Sequence, residues 1–206
     1  TINEKLLIAL SKEFLPEKTI LSEPFVRMTW HEAMSKYGSD KPDIRFDLSF
    51  VDVSEIMKNS GFKVFSDTVQ KGGVVKAMRV PGGATFTRKQ IDELTEAAKS
   101  KGAKGLAYLA MEESGELKST FLKFIDEAGQ KALVDALSLQ KGDIVFFSAD
   151  TFFVACESLG SVRLIVAKWM KLQDENMLAY LWVTEFPMFE RDNETGNLQA
   201  MHHPFT

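Results

Sequence analysis

A chain of 206 residues with 45% hydrophobic content is long enough to bury a sizeable core, as one large domain or as one domain with flanking pieces of another. Its formal net charge of −4 argues against nucleic-acid binding by bulk electrostatics, although a local basic face can sit in an acidic whole. The single cysteine, Cys156, excludes an internal disulfide and a cysteine-rich zinc site and fits a reducing cytoplasm, and no apolar run approaches the roughly 20 residues of a membrane helix.

The N-terminus, TINEKLLIAL, lacks the basic region and cleavage site of a secretion signal. The chain starts without Met and enters a helical pattern at once, which predicts that both ends are cuts. Ile2, Leu6, Leu7, Leu10 and Phe14 recur at spacings of three and four, so an amphipathic helix runs to the break at Pro16 and needs a partner surface. After a linker containing Pro24, Thr29 with Glu32 forms a capping box that opens a helix over 30–37, and Gly38 closes it. Ser39-Asp40-Lys41-Pro42-Asp43 is then a polar turn that either holds a ligand or merely caps the helix.

Asp52 and Glu55 repeat the capping pattern and predict a helix ending at Gly61. Residues 62–65 and 74–80 read as strands, separated by Gly72-Gly73 and closed by Pro81-Gly82-Gly83. Thr87 and Gln90 cap a helix from Arg88 to about Ser100, and 105–111 reads as a strand. Helical patterns follow around 121–126 and 131–139. The run Asp143–Ser148 is too apolar to be half exposed and belongs centrally in its sheet. The longest helical stretch is 151–172, where Gly160 predicts a break or bend. Finally, the run 178–186 stops at Pro187 and returns through an Asp/Asn/Gly turn as a second run ending in His202-His203, which predicts a β-hairpin. The order of elements predicts a compact α/β or α+β unit with a mixed sheet.

Two adjacent imidazoles on a strand point to opposite faces, so one of His202 and His203 can line a pocket while the other packs behind it. A neutral imidazole accepts from an ammonium or hydroxyl, and a charged one pairs with phosphate or carboxylate. The bland alternative is one core and one surface histidine. Zinc is disfavoured, since His31 is the one further imidazole and no second cysteine exists. Glu185 and Glu190 flank Phe186-Pro187-Met188-Phe189 as a conceivable acid and base, but acids on a strand facing solvent are more often just solvated. The glycine pairs lack the spacing of a phosphate cradle and read as turns. Arg79, Arg88, Lys89, Lys99, Lys101 and Lys104 make either a weak basic face for an RNA backbone or a solvated charged surface. Cys156 reads as a small buried hydrophobe.

Three stretches together resemble the bacterial type of aspartyl-tRNA synthetase: RMTWHEAMSKYGSDKPDIR at 27–45, RVPGGATFTRKQIDELTEAAKSKGAKGLAY at 79–108, and LWVTEFPMFE with AMHHPFT within 181–206. The resemblance implies that 1–46 and 166–206 belong to a class II catalytic core with an antiparallel sheet. It implies that 47–165 is an insertion domain of a type also found in a subunit of a tRNA-dependent amidotransferase. It implies ATP and Mg2+ as cofactors, tRNA and L-aspartate as substrates, a homodimeric cytoplasmic parent, and contact of His202 with aspartate, with His203 supporting it or sharing the role. The family's ATP-binding arginines match no part of this chain, so no catalytic, ATP or metal residue is assigned and the chain alone is expected to be inactive. A non-catalytic tRNA- or partner-binding module is the alternative, disfavoured because such a module has no use for the HHPFT and FPMFE motifs. A histidine-based hydrolase is weaker still, lacking a nucleophile motif.

Overall fold

The structure, a computed structural model, describes residues 1–191 and 195–203. In chain order the elements are α1 (Ile2–Phe14), β1 (Thr19–Ile20), β2 (Val26–Thr29), α2 (Trp30–Tyr37), β3 (Phe50–Asp52), α3 (Ser54–Met57), α4 (Lys63–Gln70) and β4 (Val74–Val80). They continue with α5 (Arg88–Lys99), β5 (Ala107–Met111), β6 (Leu117–Ser119), α6 (Glu127–Ala136), β7 (Ile144–Asp150), α7 (Phe152–Trp169), β8 (Met177–Leu178), β9 (Leu181–Thr184), β10 (Phe189–Arg191) and β11 (Leu198–Ala200). The expected mixture of helices and strands is therefore present. It resolves into a five-stranded central sheet, order β3-β4-β7-β5-β6, antiparallel at every pairing.

Strand β7 is central, as its apolar run predicts, because both faces of the sheet are covered. Ile144 and Phe146 pack with Met78, Leu94, Leu159 and Val162 on the side of α5 and α7. Val145 and Phe147, pointing the other way by the two-residue strand period, pack with Met57, Phe65, Phe121 and Leu133 on the side of α3, α4 and α6. A strand buried on both faces shows no polar alternation.

Outside this body the chain pairs distant segments. β2 runs parallel to β9, with Val26 opposite Leu181, and β1 runs parallel to β8. The first and last thirds of the chain are thus tied together by two short ladders.

Several expectations are corrected. Residues 62–65 are not a strand: Phe62 precedes α4, where Phe65 and Val69 turn inward at helical spacing and Val64 faces solvent. Asp52 and Glu55 form no capping box, since Val53 is the N-cap of α3 and the Asp52 carboxylate instead accepts from the Ser54 amide, a local Asx-type turn. The 121–126 pattern is one 3-10 turn over Leu122–Phe124, and the following helix opens earlier, on Asp126. α7 runs unbroken through Gly160, whose role is close approach: a Cβ there would sit 2.6 Å from the Gly38 carbonyl oxygen. The hairpin is β10 with β11, Phe189 opposite Ala200, while the run expected as its first arm contributes β9 to the ladder with β2. His202 and His203 lie just beyond β11 rather than on it, and the PFT of the last motif falls outside the described residues.

Candidate functional site

Helix α2 sets one side of the site. Its capping box is present as read from the sequence: the Thr29 hydroxyl accepts from the Glu32 amide at 3.1 Å and the Glu32 carboxylate accepts from the Thr29 amide at 2.8 Å. Gly38, at φ +68°, ends the helix in the left-handed region and turns the chain into the Ser39–Asp43 loop. A Cβ at Gly38 would lie 2.1 Å from the Cys156 carbonyl oxygen, so backbone rests directly on α7. The loop, one face of α7 and the end of the β10–β11 hairpin enclose a cleft of about 630 Å3.

His202 reaches this cleft. Its ring meets the edge of Trp30 at 6.1 Å and of Phe186 at 5.0 Å, and its Nε2 is shielded from solvent with no hydrogen-bond partner among the described residues. His203 is exposed, so the two imidazoles do face different surroundings. His202 lines a polar cleft while its buried Nε2 keeps one unused hydrogen-bonding capacity. Glu190 lines the same cleft and accepts from the Gln199 amide at 2.9 Å, whereas exposed Glu185 does not reach it, so the two carboxylates do not form a pair there.

The loop carries Asp40, Lys41 and Asp43 to the opposite wall, and Lys101 reaches it from beyond α5. The Arg45 guanidinium grips the Asp43 carboxylate at 2.6 and 2.9 Å, which with the Arg45 amide and Gln173 holds that carboxyl down at about 2, against desolvation by partial burial. Arg163, projecting from α7, is buried beneath the loop. Its guanidinium donates to the carbonyls of Asp43, Phe46 and Leu48, and burial lowers its pKa to about 10, still charged at neutral pH.

Other singled-out residues fall away from the cleft. Burial pushes the Cys156 thiol up to about 12, so it is no nucleophile at neutral pH and reads as the expected small hydrophobe. The basic series is broken by ion pairs of Arg79 with Asp143 at 2.6 Å, Lys99 with Glu96 at 2.8 Å and Lys104 with Asp150 at 3.7 Å. Among the described residues no three His, Cys, Asp or Glu side chains converge to hold a metal ion, and no helix is long and apolar enough to cross a membrane. Arg163 was not singled out by sequence reasoning. The available signal was its place on the stripe Leu159, Val162, Val166 and Ala167, all buried, where a solvated arginine does not belong.

Comparison with known proteins places this geometry in context. Residues 65–159 match the family described as the GAD domain. Across its full length the chain is 47% identical to the aspartate–tRNA(Asp/Asn) ligase of Lachnoclostridium phytofermentans and covers 34% of it. It is 46% identical to the aspartate–tRNA ligase of Agathobacter rectalis and 46% identical to the aspartate–tRNA(Asp/Asn) ligase of Bacillus subtilis, again covering 34% of each. It thus spans about a third of the length of these relatives. The centre of the chain is thus similar to the GAD domain, and from end to end the chain is similar to one stretch of the bacterial aspartate–tRNA ligases.

Proposed function

We propose that this chain is part of an aspartate–tRNA ligase, the enzyme that activates L-aspartate with ATP as aspartyl-adenylate and transfers it to tRNA. On this reading 1–46 and 166–206 are parts of the catalytic core and 47–165 is the insertion domain. The parent is a cytoplasmic homodimer. The likeness over the whole chain to proteins named as such ligases supports it, and nothing in the relatives favours a non-catalytic module.

The observation that carries the site is the shielded, unpartnered Nε2 of His202 in a cleft. A buried polar atom without a partner costs about 1–3 kcal/mol, which a ligand group recovers on binding. We assign His202 to the aspartate, as acceptor from its ammonium or as donor to its side-chain carboxylate. His203, on the exposed side, supports His202 or shares its role. Discrimination against an apolar amino acid then follows, because such a ligand leaves the imidazole unpaired.

The cleft offers no arginine clamp for ATP with Mg2+: among the described residues the arginine that lines it, Arg163, spends its guanidinium on backbone carbonyls, Lys41 and Lys101 are its other cations, and no cluster of three carboxylate or imidazole groups offers a metal seat. Transfer of a phosphoryl-linked group needs cationic stabilisation of the oxygens that gain charge. That chemistry belongs to the parent, and the chain alone is silent in aspartate-dependent pyrophosphate exchange. The test of the site is an imidazole-detected NMR titration of the 206-residue chain with L-aspartate. We expect the His202 resonances to shift and those of His31 to stay. L-leucine should have no effect. Saturable aspartate binding that survives His202→Ala unchanged would remove His202 from the pocket.

A further inference from the structure

The five-stranded body and the cleft are joined by a buried cation, Arg163, that makes no ion pair among the described residues. Between Gly38 and β3 the chain crosses α7 with no regular secondary structure, so its carbonyls need donors from elsewhere. Arg163, 1% exposed, supplies them: Nε to Leu48 O at 3.1 Å, and one terminal nitrogen to Asp43 O at 2.9 Å and Phe46 O at 3.0 Å. The guanidinium lies 4.0 Å over the Phe46 ring and 4.9 Å over that of Tyr37. Among the described residues no carboxylate lies within ion-pair distance of it, and Asp43 and Asp47 act on it only from further off. A charge taken out of water this far is tolerated only when oriented dipoles and ring faces replace the solvent, and such an arrangement has one geometry.

What it orients is the cleft. Tyr37 under the guanidinium and Trp30 against His202 stand at opposite ends of one two-turn helix, α2. Two further contacts lock α2 to the five-stranded body: Gly38 meets α7 backbone on backbone, and the buried Lys76 of β4, itself held by Asp52 of β3 at 3.2 Å, donates to Ser35 at 2.8 Å. We propose that Arg163 is a positioning residue: from inside α7 it fixes both the Asp43–Leu48 crossing and, through Tyr37, the tilt of α2 that sets Trp30 against His202. The five-stranded body is then a support for the wall of the cleft. The identity of the cleft as an amino-acid pocket rests on the reading above; the clamp does not.

The experiment compares wild type, Arg163→Lys and Arg163→Met, with folding checked by circular dichroism. Trypsin cleavage at Arg45 reports the crossing, and the His202 imidazole signals report the wall. In Arg163→Met, cleavage at Arg45 should accelerate about tenfold, the equivalent of about one net hydrogen bond, and the His202 signals should move. Arg163→Lys, which keeps the charge but fewer donors, should fall between. A merely structural residue would lower stability without moving His202 in a variant whose sheet is intact. Unchanged Arg45 cleavage and unchanged His202 signals in either folded variant overturn the proposal. Should Arg163→Met not fold, the wild type decides: Arg45 resistant for as long as the sites in α7 supports the clamp, and Arg45 cut while α7 stays intact refutes it. Failure of aspartate to shift His202 would sink the pocket reading alone and leave these readouts standing.

Discussion

The central sheet and helix α1 are both rich in apolar residues and dispose of them in opposite ways. In β7 every residue from Ile144 to Ser148 is buried, with helices over both faces. In α1 the apolar stripe faces outward, with Ile2 at 84% and Phe14 at 73% exposure, while the buried positions are Glu4 and Ser11. Glu4 accepts from the Trp182 indole at 2.7 Å and from Arg27 at 3.3 Å, and Ser11 meets the Tyr180 hydroxyl at 3.0 Å. An amphipathic pattern tells that a helix has two faces, and the partner decides which of them is inside. In the sheet the partner is present, and in α1 the polar face has found one first.

The largest effect should therefore come from the sheet. Phe147, buried between Phe65 at 5.9 Å and Phe121 at 5.2 Å, has no room to collapse around a deletion. Phe147→Ala should cost about 3–5 kcal/mol in urea unfolding. A loss below about 1 kcal/mol would mean that the two faces of β7 are not both sealed.

Legibility follows the same division. Strands β4, β5 and β7 and helices α2 and α5 could be read because local pattern and tertiary burial agree. Residues 62–65 read as a strand but fold as the start of a helix because a short apolar run has no clear period. The deciding signal was Val69, four residues after Phe65, on the same side. Several lining residues of the cleft, His202, the Ser39–Asp43 turn, Glu190 and Lys101, stand out in the sequence one by one, but no spacing connects them, and the crossing that brings them together depends on Arg163, a buried arginine in a stretch that reads as plain helix.

A smaller effect belongs to the seam between the two regions. Asp43, held at about 2 by Arg45, is depressed below its unfolded value near 3.8. Its contribution is present in full above pH about 4 and is lost as pH falls from there towards 2. Because the group is partly open to solvent, screening reduces that contribution to about 1 kcal/mol or less. Asp43→Asn should be destabilised relative to wild type at pH 7, and the two should converge near pH 2. A gap that stays constant across that interval would show that the Asp43 side chain acts by packing, without its charge.

The smallest effect, and the sharpest use of the comparison, lies in α1. By the ordinary rule a buried-type apolar residue matters more than a polar one, but here the faces are reversed. Phe14→Ser should change stability by no more than about 0.5 kcal/mol, since the ring is already in water. Ser11→Ala, a smaller change, removes the bond to Tyr180 and should cost about 1 kcal/mol. Trypsin should reach Lys5 and Lys12 before any site within 62–150, because α1 is held by few apolar contacts while the sheet opens only with the whole body. Should Phe14→Ser prove the more damaging of the two, or should the first cut fall inside the sheet, then the apolar stripe of α1 is covered in solution, and the contrast between the two regions is one of partner rather than of packing.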